Sequence, residues 1–221
     1  MGLSSALTDP ATRLVADSST IINLISTGSA QAILAALPNR VTVVDLVFAE
    51  LESGRAYGRA ACDALRELIG AGTVEVASLE GDALGHFEGL VIGPAVETLD
   101  DGEAATIAFA SARGDTALLD ERKAIRICKE RFAQLRIACT VDVLLHEAVR
   151  SSLGHDGLAE AVFKALQVGR MRVLPHHESW VMELIGEERA SLCDCLPQRV
   201  RTQGAVGSHM RTTDVSGTKL E

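Results

Sequence analysis

Short apolar runs alternate along the chain with longer segments whose apolar residues recur every three or four positions. Apolar runs of about four to eight residues predict buried strands, and the longer recurring pattern predicts amphipathic helices. The predicted strands are Leu14–Asp17, Arg40–Asp45, Thr73–Leu79, Thr116–Asp120 and Ile137–Val141. The predicted helices between them are Ile21–Ile25, Ala30–Leu37, Leu46–Ser53, Arg59–Gly70, Asp101–Arg113 and Glu121–Arg131. This alternation predicts an α/β fold, with a doubly wound, mostly parallel sheet of about five strands flanked by helices.

Two regions depart from this alternation. Residues Glu80–Leu99 contain four glycines and Pro94, and they are predicted to be irregular. Beyond Ser151 the pattern predicts mainly helices, over Leu158–Leu166 and Ser179–Leu192, and no linker rich in Pro or Ser precedes them. We therefore predict one domain with a C-terminal helical extension packed against it.

The last residues lose their apolar periodicity and are rich in Gly, Ser and Thr, which predicts a flexible tail. The sequences GSHM at Gly207–Met210 and KLE at the C-terminus are typical of vector-derived residues. The predicted organisation is a domain over residues 12–150, the helical extension over residues 151–200, and a partly vector-derived tail over residues 201–221.

The stretch LVADSSTIINL, residues 14–24, ends a predicted strand with Asp17 and then begins a helix. The hydroxyl of Ser18 or Ser19 is predicted to cap that helix by accepting from a free backbone N–H group. Asp17, taken alone, is typical of a cap or turn residue. At the carboxyl end of a strand in an open α/β sheet, however, a carboxylate faces the crevice where ligands bind.

Three further acids are predicted at the same edge of the sheet. Asp120 ends the fourth strand, Glu50 lies on the helix after the second strand, and Glu103 lies in the first turn of the helix that begins at Asp101. Two carboxylates about 4 Å apart repel by roughly 4 kcal/mol at an effective dielectric constant of about 20. Acids that converge with Asp17 therefore require shared protons or a divalent cation, and carboxylate and water ligands suit Mg²⁺ or Mn²⁺.

The order and spacing of the acidic motifs resemble the PIN-domain family. The motifs are VADSSTIINL, a later AEL segment, LDDGEAATIAFA and ALLDERKA. The resemblance covers roughly Leu14 to Val149, and the helical extension to about Gly186 is similar to the prokaryotic branch related to VapC toxins. It implies a Mg²⁺- or Mn²⁺-dependent endoribonuclease that is the toxin of a toxin–antitoxin pair. It also implies an RNA substrate, a small antitoxin protein as partner, and a homodimer.

The resemblance implies a role for each acid. Asp17, Glu50, Glu103 and Asp120 correspond to the catalytic positions of the family, with Asp17, Glu103 and Asp120 as metal ligands. A metal-activated water would then hydrolyse the RNA phosphodiester bond. Many members of the family have Ser or Thr two residues before the last acid, and the hydroxyl makes a hydrogen bond to the site. This chain has Leu118 at that position, so that hydrogen bond is not expected here.

Each acid also has an ordinary structural interpretation. Asp101 is predicted to cap its helix, and Glu103 favours a helix N-terminus through the helix dipole. Glu50 is the weakest of the four assignments because Glu52 lies close by, while Asp101 and Glu121 are neighbours that could substitute or assist. The side chains Ser18, Ser19 and Asn23 could contact a metal-bound water or a phosphate, although capping is the default for the serines.

Basic residues cluster around the fourth predicted strand. On the helix that follows it, Ile125, Cys128 and Phe132 predict an inward stripe, and an adjacent face carries three basic side chains. The residues that we predict to contact RNA phosphates are Ser18, Arg122, Arg126 and Lys129. A solvated helix face explains the three basic residues equally well.

Composition narrows the class of partner. The formal net charge is −9, whereas proteins that hold nucleic acid by general electrostatics are usually basic. If nucleic acid is the ligand, some acids must serve a metal and a local basic patch must hold the phosphates. The five cysteines, without a secretion signal, suggest reduced thiols in a cytoplasmic protein, and no apolar stretch reaches membrane-spanning length. We therefore expect no membrane partner.

Three other features are not predicted to bind a metal or nucleic acid. The run His176-His177-Glu178 is predicted as a loop and cap and not as a zinc site, and Cys193-x-Cys195 lacks a second pair of ligands. Trp180 is predicted to pack and not to stack on a base.

Two alternatives to the nuclease remain: a catalytically inactive PIN-like module that binds RNA or protein, and a receiver-like phosphoacceptor domain. The second is disfavoured because Val15 and Ala16, and no second acid, precede Asp17.

Overall fold

A computed structural model describes Leu7, residues 9–53 and residues 56–202. Its sheet has five strands, all parallel, in the order β3-β2-β1-β4-β5, with helices on both faces, which confirms the predicted fold class. The strands are β1 (Leu14–Ala16), β2 (Val41–Val44), β3 (Val74–Ala77), β4 (Thr116–Leu118) and β5 (Arg136–Ala138).

The helices between the strands agree with most of the predicted ones. They are α1 (Ser18–Ser26), α2 (Ala30–Ala36), α3 (Asp45–Ser53), α4 (Ala56–Gly70), α5 (Asp82–Val91), α6 (Asp101–Arg113) and α7 (Arg122–Arg131). After β5 come α8 (Thr140–Leu145), α9 (Glu147–Gln167), a 3₁₀ turn (Pro175–His177), α10 (Glu178–Ser191) and α11 (Gln198–Thr202).

The apolar runs form strands because both faces of the sheet are covered. Successive strand residues point to opposite faces, so Leu14 and Ala16 join the hydrophobic cluster beneath α1, α2, α4 and α9, while Val15 joins the cluster that contains α6 and α7. A strand buried on both sides needs apolar residues at every position. This is why the central strands β1, β2 and β4, which are buried at every position, are almost entirely apolar. The edge strands β3 and β5 include the exposed residues Glu75 and Arg136.

The strand order places a topological switch between β1 and β4. From β1 the chain moves outward to β2 and β3 on one side, and β4 and β5 extend the sheet on the other, with Ala16 paired to Leu118 at the end of the two central strands. Ligands of open α/β sheets bind at the carboxyl ends of the strands at such a point. The observed order also differs from the 2-1-3-4-5 order of receiver domains, so the receiver-like alternative is wrong.

The C-terminal helices pack on the face of the sheet that carries α1 and α2. Helix α9 contacts both of these helices as well as α8 and α10, and it bends at Gly154, whose φ is 65°. The predicted boundary between residues 150 and 151 falls inside α9. The tail predicted from residue 201 lies almost entirely outside the described residues, which end at Thr202.

No single helix in the described part of the chain is long and apolar enough to cross a membrane. Helices α1 and α2 meet the length and composition criteria only when taken as a pair, and that pair is bent by 111°.

Two predicted helix caps are wrong. Neither Ser18 nor Ser19 caps α1; Asp17 does, by accepting from the backbone N–H of Thr20 at 2.7 Å. Likewise Asp100, not Asp101, caps α6 and accepts from the backbone N–H of Glu103 at 3.0 Å. Helix α6 begins at Asp101 as predicted, and α1 begins at Ser18, three residues before the predicted Ile21. In both cases the cap is the residue directly before the first helical one, a position that sequence patterns rarely resolve.

The prediction that Glu80–Leu99 is irregular is also wrong, because α5 occupies half of it. Each interior glycine costs a helix up to about 1 kcal/mol relative to alanine. Helix α5 buries Ala83 and Leu90 and packs against α6, and Leu90 joins a hydrophobic cluster together with Phe87 and Val91. This burial outweighs that cost.

The fifth strand is shorter than predicted. Strand β5 ends at Ala138, and Thr140 and Val141 already belong to α8. Cys139 is the N-cap residue of α8, and the carboxylate of Asp142 accepts from its backbone N–H at 2.9 Å. This capping interaction, and not β propensity, decides where the chain turns from strand to helix.

Candidate functional site

Asp17 directly follows β1 and is almost completely buried, with 1% of its surface exposed. Its carboxylate accepts from the backbone N–H of Thr20 and, through both oxygens, from the hydroxyl of Ser19 at 2.9 and 3.0 Å. Burial, followed by the nearby charge of Asp120, raises the pKa of Asp17 to about 7 in spite of these hydrogen bonds. Asp17 is thus a helix cap and a buried acid at once.

Asp120 lies two residues beyond β4 and is also buried. Asn23 donates through Nδ2 to its Oδ2 at 2.7 Å, the backbone N–H of Thr140 donates to its Oδ1 at 2.8 Å, and the Thr140 hydroxyl donates to Oδ2. Burial still raises the pKa of this carboxyl above its ordinary value. Helix α1 and the start of α8 therefore hold Asp120 from two sides.

Thr140 is a site residue that the sequence analysis missed. The side chain of Leu118 points into the core and offers no hydrogen bond to the acids, in line with the departure noted from the family pattern. Thr140, at the carboxyl end of the neighbouring strand β5, makes two hydrogen bonds to Asp120 instead. Its position after a strand was a usable signal, but the overlong fifth strand concealed it.

Glu50 reaches the same edge from α3. The hydroxyl of Ser18 donates to its Oε2 at 2.5 Å, and burial raises the pKa of Glu50 above its ordinary value, with smaller contributions from Asp100 and Asp101. A Cβ atom on Gly102 would lie 2.0 Å from Glu50 Oε2 and 2.9 Å from Ser18 Oγ. The glycine of the LDDGEA motif therefore lets α6 approach Glu50 closely.

Glu103 lies half-buried in the first turn of α6. Burial first, and then the charges of Asp100, Asp17, Glu121 and Glu50, raise the pKa of Glu103 to about 8. The charges of Asp17, Asp120, Glu50 and Glu103 are thus close enough to shift one another's pKa, with Glu103 linking Asp17 to Glu50. The neighbour Glu121 contacts Arg172, whereas Asp101 is exposed to solvent.

This electrostatic arrangement is unfavourable without a counter-charge. In the described part of the chain, the four acids have no Lys or Arg partner within ion-pair distance. Shared protons or a cation must therefore compensate them. Donor sets made only of carboxylate oxygens suit hard divalent ions such as Mg²⁺ and Mn²⁺.

The three basic residues of α7 that were predicted to contact phosphates differ in their partners within the protein. Arg126 makes an ion pair with Glu130 at 2.9 Å and donates to the carbonyl oxygen of Val96. Arg122 and Lys129 are exposed and have no hydrogen-bond or ion-pair partner among the described residues. The buried stripe of α7 is Ala124, Ile127 and Cys128. The predicted stripe was wrong in part, since Ile125 and Phe132 are only half-buried.

A family model described as PIN domain matches residues 13–187, which include all four acids and most of the helical extension. The chain belongs to the PIN-domain family. PIN domains are generally nucleases and usually use divalent metal ions, so membership supports a hydrolase of nucleic acids. No curated protein and no solved structure matches the chain.

Proposed function

We propose that this PIN domain is a divalent-metal-dependent endoribonuclease and that Asp17, Glu103 and Asp120 hold a Mg²⁺ or Mn²⁺ ion. The observation that carries the proposal is that two buried acids, Asp17 and Asp120, follow β1 and β4 at the switch point, close to the half-buried Glu50 and Glu103. Burial, followed by repulsion from neighbouring carboxylates, raises the pKa values of Asp17 and Glu103, and a bound cation would offset this cost.

Each residue of the site has a distinct role in this proposal. Asn23 and Thr140 orient Asp120, and Ser19 and the N-terminus of α1 orient Asp17, so that the ligand oxygens are held before the ion arrives. When bound, the ion would orient a water and neutralise charge on the scissile phosphate. Preorganised ligands reduce the cost of binding and of reaction.

Glu50 is proposed to take up the proton of the attacking water. Ser18 donates to its Oε2, and its Oε1 has no hydrogen-bond partner among the described residues. The water oxygen would form the new bond to phosphorus and pass its proton to Glu50 Oε1, while the bond from phosphorus to the leaving oxygen breaks and that oxygen takes a proton from solvent. Burial raises the pKa of Glu50, which makes it a better proton acceptor than an exposed glutamate.

The substrate and partners are proposed from chemistry and from the family resemblance. Arg122 and Lys129 supply uncommitted positive charge on α7 for RNA phosphates, in a protein whose formal net charge is −9. Ser18 and Arg126 are proposed as weaker contacts, because both are already engaged with residues of the chain. The resemblance to the VapC-like branch supports a toxin that is inhibited by a small antitoxin protein and forms a homodimer.

The proposal is tested with purified protein and a single-stranded RNA. We expect cleavage with Mg²⁺ or Mn²⁺, none with EDTA, and none by Asp17→Asn or Asp120→Asn. Arg40→Ala is the control. Arg40 directly precedes β2, at the opposite end of the strand from the site, and it pairs there with the exposed Glu75 of β3. Undiminished cleavage by Asp17→Asn would overturn the assignment. Metal-independent binding of RNA without cleavage would instead identify the inactive PIN-like module.

A further inference from the structure

Three side chains with different ligand atoms meet beneath the carboxyl end of β5. The thiol of Cys139, a carboxylate oxygen of Asp142 and a ring nitrogen of His177 all lie within 4.8 Å of one another. Cys139 begins α8, Asp142 lies in its first turn, and His177 comes from the 3₁₀ turn before α10. Sequence analysis could not relate them, because the fold brings His177 back from a distant part of the chain.

His177 is the unexplained member of this cluster. It is 4% exposed, and neither of its ring nitrogens has a hydrogen-bond partner among the described residues. Its Nε2 lies 3.2 Å from Asp142 Oδ1, but without the direction of a hydrogen bond. Buried polar groups are nearly always bonded, so a buried and unpartnered ring nitrogen beside a carboxylate and a thiol points to a further partner.

The spacing of these atoms is also compatible with ligation of a metal ion. Zinc binds imidazole nitrogen and carboxylate oxygen at about 2.1 Å, so two such ligands at a tetrahedral angle lie about 3.4 Å apart. The observed separation of Nε2 and Oδ1 is 3.2 Å. A zinc–sulfur bond of about 2.3 Å requires the thiol of Cys139 to move inward by at most about 1 Å.

We propose that Cys139, Asp142 and His177 form a zinc site, separate from the acidic site, with its fourth coordination position open to solvent. A set of sulfur, nitrogen and oxygen ligands favours zinc over Mg²⁺, which prefers oxygen alone. All three residues line a cavity of about 1160 Å³, which gives the ion access and leaves room for a water or an anion as fourth ligand. Lys129 and Arg150 also line this cavity.

The surrounding contacts already orient the ligands. Asp142 uses Oδ2 to accept from the backbone N–H of Cys139, which leaves Oδ1 for the metal. The sulfur of Cys139 in turn accepts from the backbone N–H of Asp142. Hydrogen bonds of this kind fix the orientation of ligands in metal sites. A capping interaction alone accounts for Cys139 and Asp142, but it leaves His177 without a bond.

The two sites meet at consecutive residues, so the experiment must separate them. Thr140, which holds Asp120, directly follows Cys139. Co²⁺ is the probe, because a thiolate ligand gives a near-ultraviolet charge-transfer band and tetrahedral coordination gives visible bands. Carboxylate sites give neither. The readout is independent of nuclease activity, so its failure and the failure of the proposed ribonuclease are distinguishable.

We expect one bound Co²⁺ per chain to give both kinds of band, in addition to any Co²⁺ that the acidic site binds, and Zn²⁺ to remove these bands. The bands should persist in Glu103→Gln and in Cys128→Ser, the matched control for replacing a buried thiol. Cys139→Ser should abolish the thiolate band. His177→Gln should weaken binding by at least about 10- to 100-fold, the loss that follows mutation of groups supporting a metal ligand.

Two results would overturn the zinc site. One is the absence of a thiolate band in the wild-type chain, and the other is a band that survives in Cys139→Ser and therefore arises from another thiol. If Cys139→Ser fails to fold, Asp142→Asn decides, because an amide oxygen can still accept from the Cys139 N–H group. Unchanged Co²⁺ affinity in both Asp142→Asn and His177→Gln contradicts the proposal.

Discussion

At the residue scale, Asp17 combines two roles that are usually separate. It satisfies the free N–H group of Thr20 as the cap of α1, and it contributes a charge to the acidic site. Capping favours the ionised carboxylate, whereas burial and Asp120 disfavour it. The raised pKa of Asp17 means that the second effect is larger. Changes at this one position can therefore separate the cost of the charge from the benefit of the cap.

We predict that Asp17→Asn raises the melting temperature of the metal-free protein, although most mutations destabilise. Asparagine caps helices about as well as aspartate, so the variant keeps the cap and removes the repulsion. The free energy of unfolding of Asp17→Ala should be about 1 kcal/mol lower than that of Asp17→Asn, because alanine also removes the cap. Thermal melts with and without Mg²⁺ measure both effects. A metal-free Asp17→Asn that melts below wild type identifies Asp17 as mainly a cap.

A second prediction concerns Gly102. Alanine there should push the Glu50 carboxylate and the Ser18 hydroxyl aside, because the added Cβ would lie 2.0 Å from Glu50 Oε2. A displacement of about 1 Å can cost roughly 100-fold in rate. The fold should tolerate the change, since Glu50 is flexible at its end and alanine favours a helix over glycine by up to about 1 kcal/mol.

Gly85→Ala is the matched control for Gly102→Ala. Gly85 lies inside α5 and has open space where a Cβ would be added. Both variants should melt at or above the wild-type temperature, but only Gly102→Ala should lose RNA cleavage. Equal activities of the two variants would show that the approach of α6 to Glu50 has no part in the reaction.

At the element scale, the short connections after the strands bring the site together. Helices α1 and α8 each begin two residues after the end of the preceding strand, β1 and β5 respectively, so their N-terminal residues lie at the carboxyl edge of the sheet. Helix α6 presents Glu103 there because it precedes β4 and packs across β1 and β2. The acids thus come from four different connections, and the fold brings them to one edge of the sheet.

Helix α7 provides a test of RNA binding at this scale. We predict that Arg122→Ala with Lys129→Ala weakens binding of a cleavage-resistant single-stranded RNA. It should also reduce the salt dependence of log K by roughly 0.7 for each phosphate that the variant no longer neutralises. Arg126→Ala should have a smaller effect, since Glu130 already neutralises that side chain. Equilibrium titrations at several salt concentrations measure the slopes, and a slope unchanged in the double variant assigns α7 to a solvated surface.

At the scale of the whole molecule, the acidic site makes stability depend on pH. The folded-state pKa values of Asp17 and Glu103 are about 7 and about 8, above the values of about 4 expected for the unfolded chain. Between these limits the folded state binds more protons than the unfolded state, so stability falls as pH rises. The contribution of these two groups to stability is highest below about pH 4, and it is lost as pH rises through their folded-state pKa values of about 7 and about 8.

We therefore predict that metal-free protein unfolds at lower denaturant concentration at pH 8.5 than at pH 5.5. Mg²⁺ should largely restore stability at the higher pH, because it binds the ionised, folded cluster. The double variant Asp17→Asn, Glu103→Gln should show a smaller difference between the two pH values and a smaller response to Mg²⁺. An identical pH dependence in wild type and double variant would rule out convergence of the acids as its cause.

A last prediction concerns assembly. The exposed apolar side chains of α5 and the segment after it, among them Leu84, Ile92 and Val96, are 48 to 74% exposed. Such surfaces favour contacts with another chain. In line with the proposed homodimer, sedimentation at micromolar concentration should give a dimer, and Ile92→Lys with Val96→Lys should shift it toward monomer. A wild-type protein that sediments only as monomer would count against the homodimer.

The sequence by itself was sufficient for the fold class and for the acids at the ends of β1 and β4. Strands buried on both faces must be apolar throughout, and a short parallel strand exposes only its end. The apolar runs and the acids that follow them are therefore visible without any tertiary information. The motif order similarly identified the PIN-domain family, which the family match then confirmed.

Only the tertiary structure decided which groups surround those acids. Whether a residue caps a helix depends on a shift of one position, as Asp17 and Asp100 show. Helix α5 forms despite its glycines because α6 packs against it. Thr140 reaches Asp120, and His177 reaches Cys139, through contacts between segments far apart in the chain. Local propensities vary by about 1 kcal/mol or less per residue, so packing between distant elements determines these details.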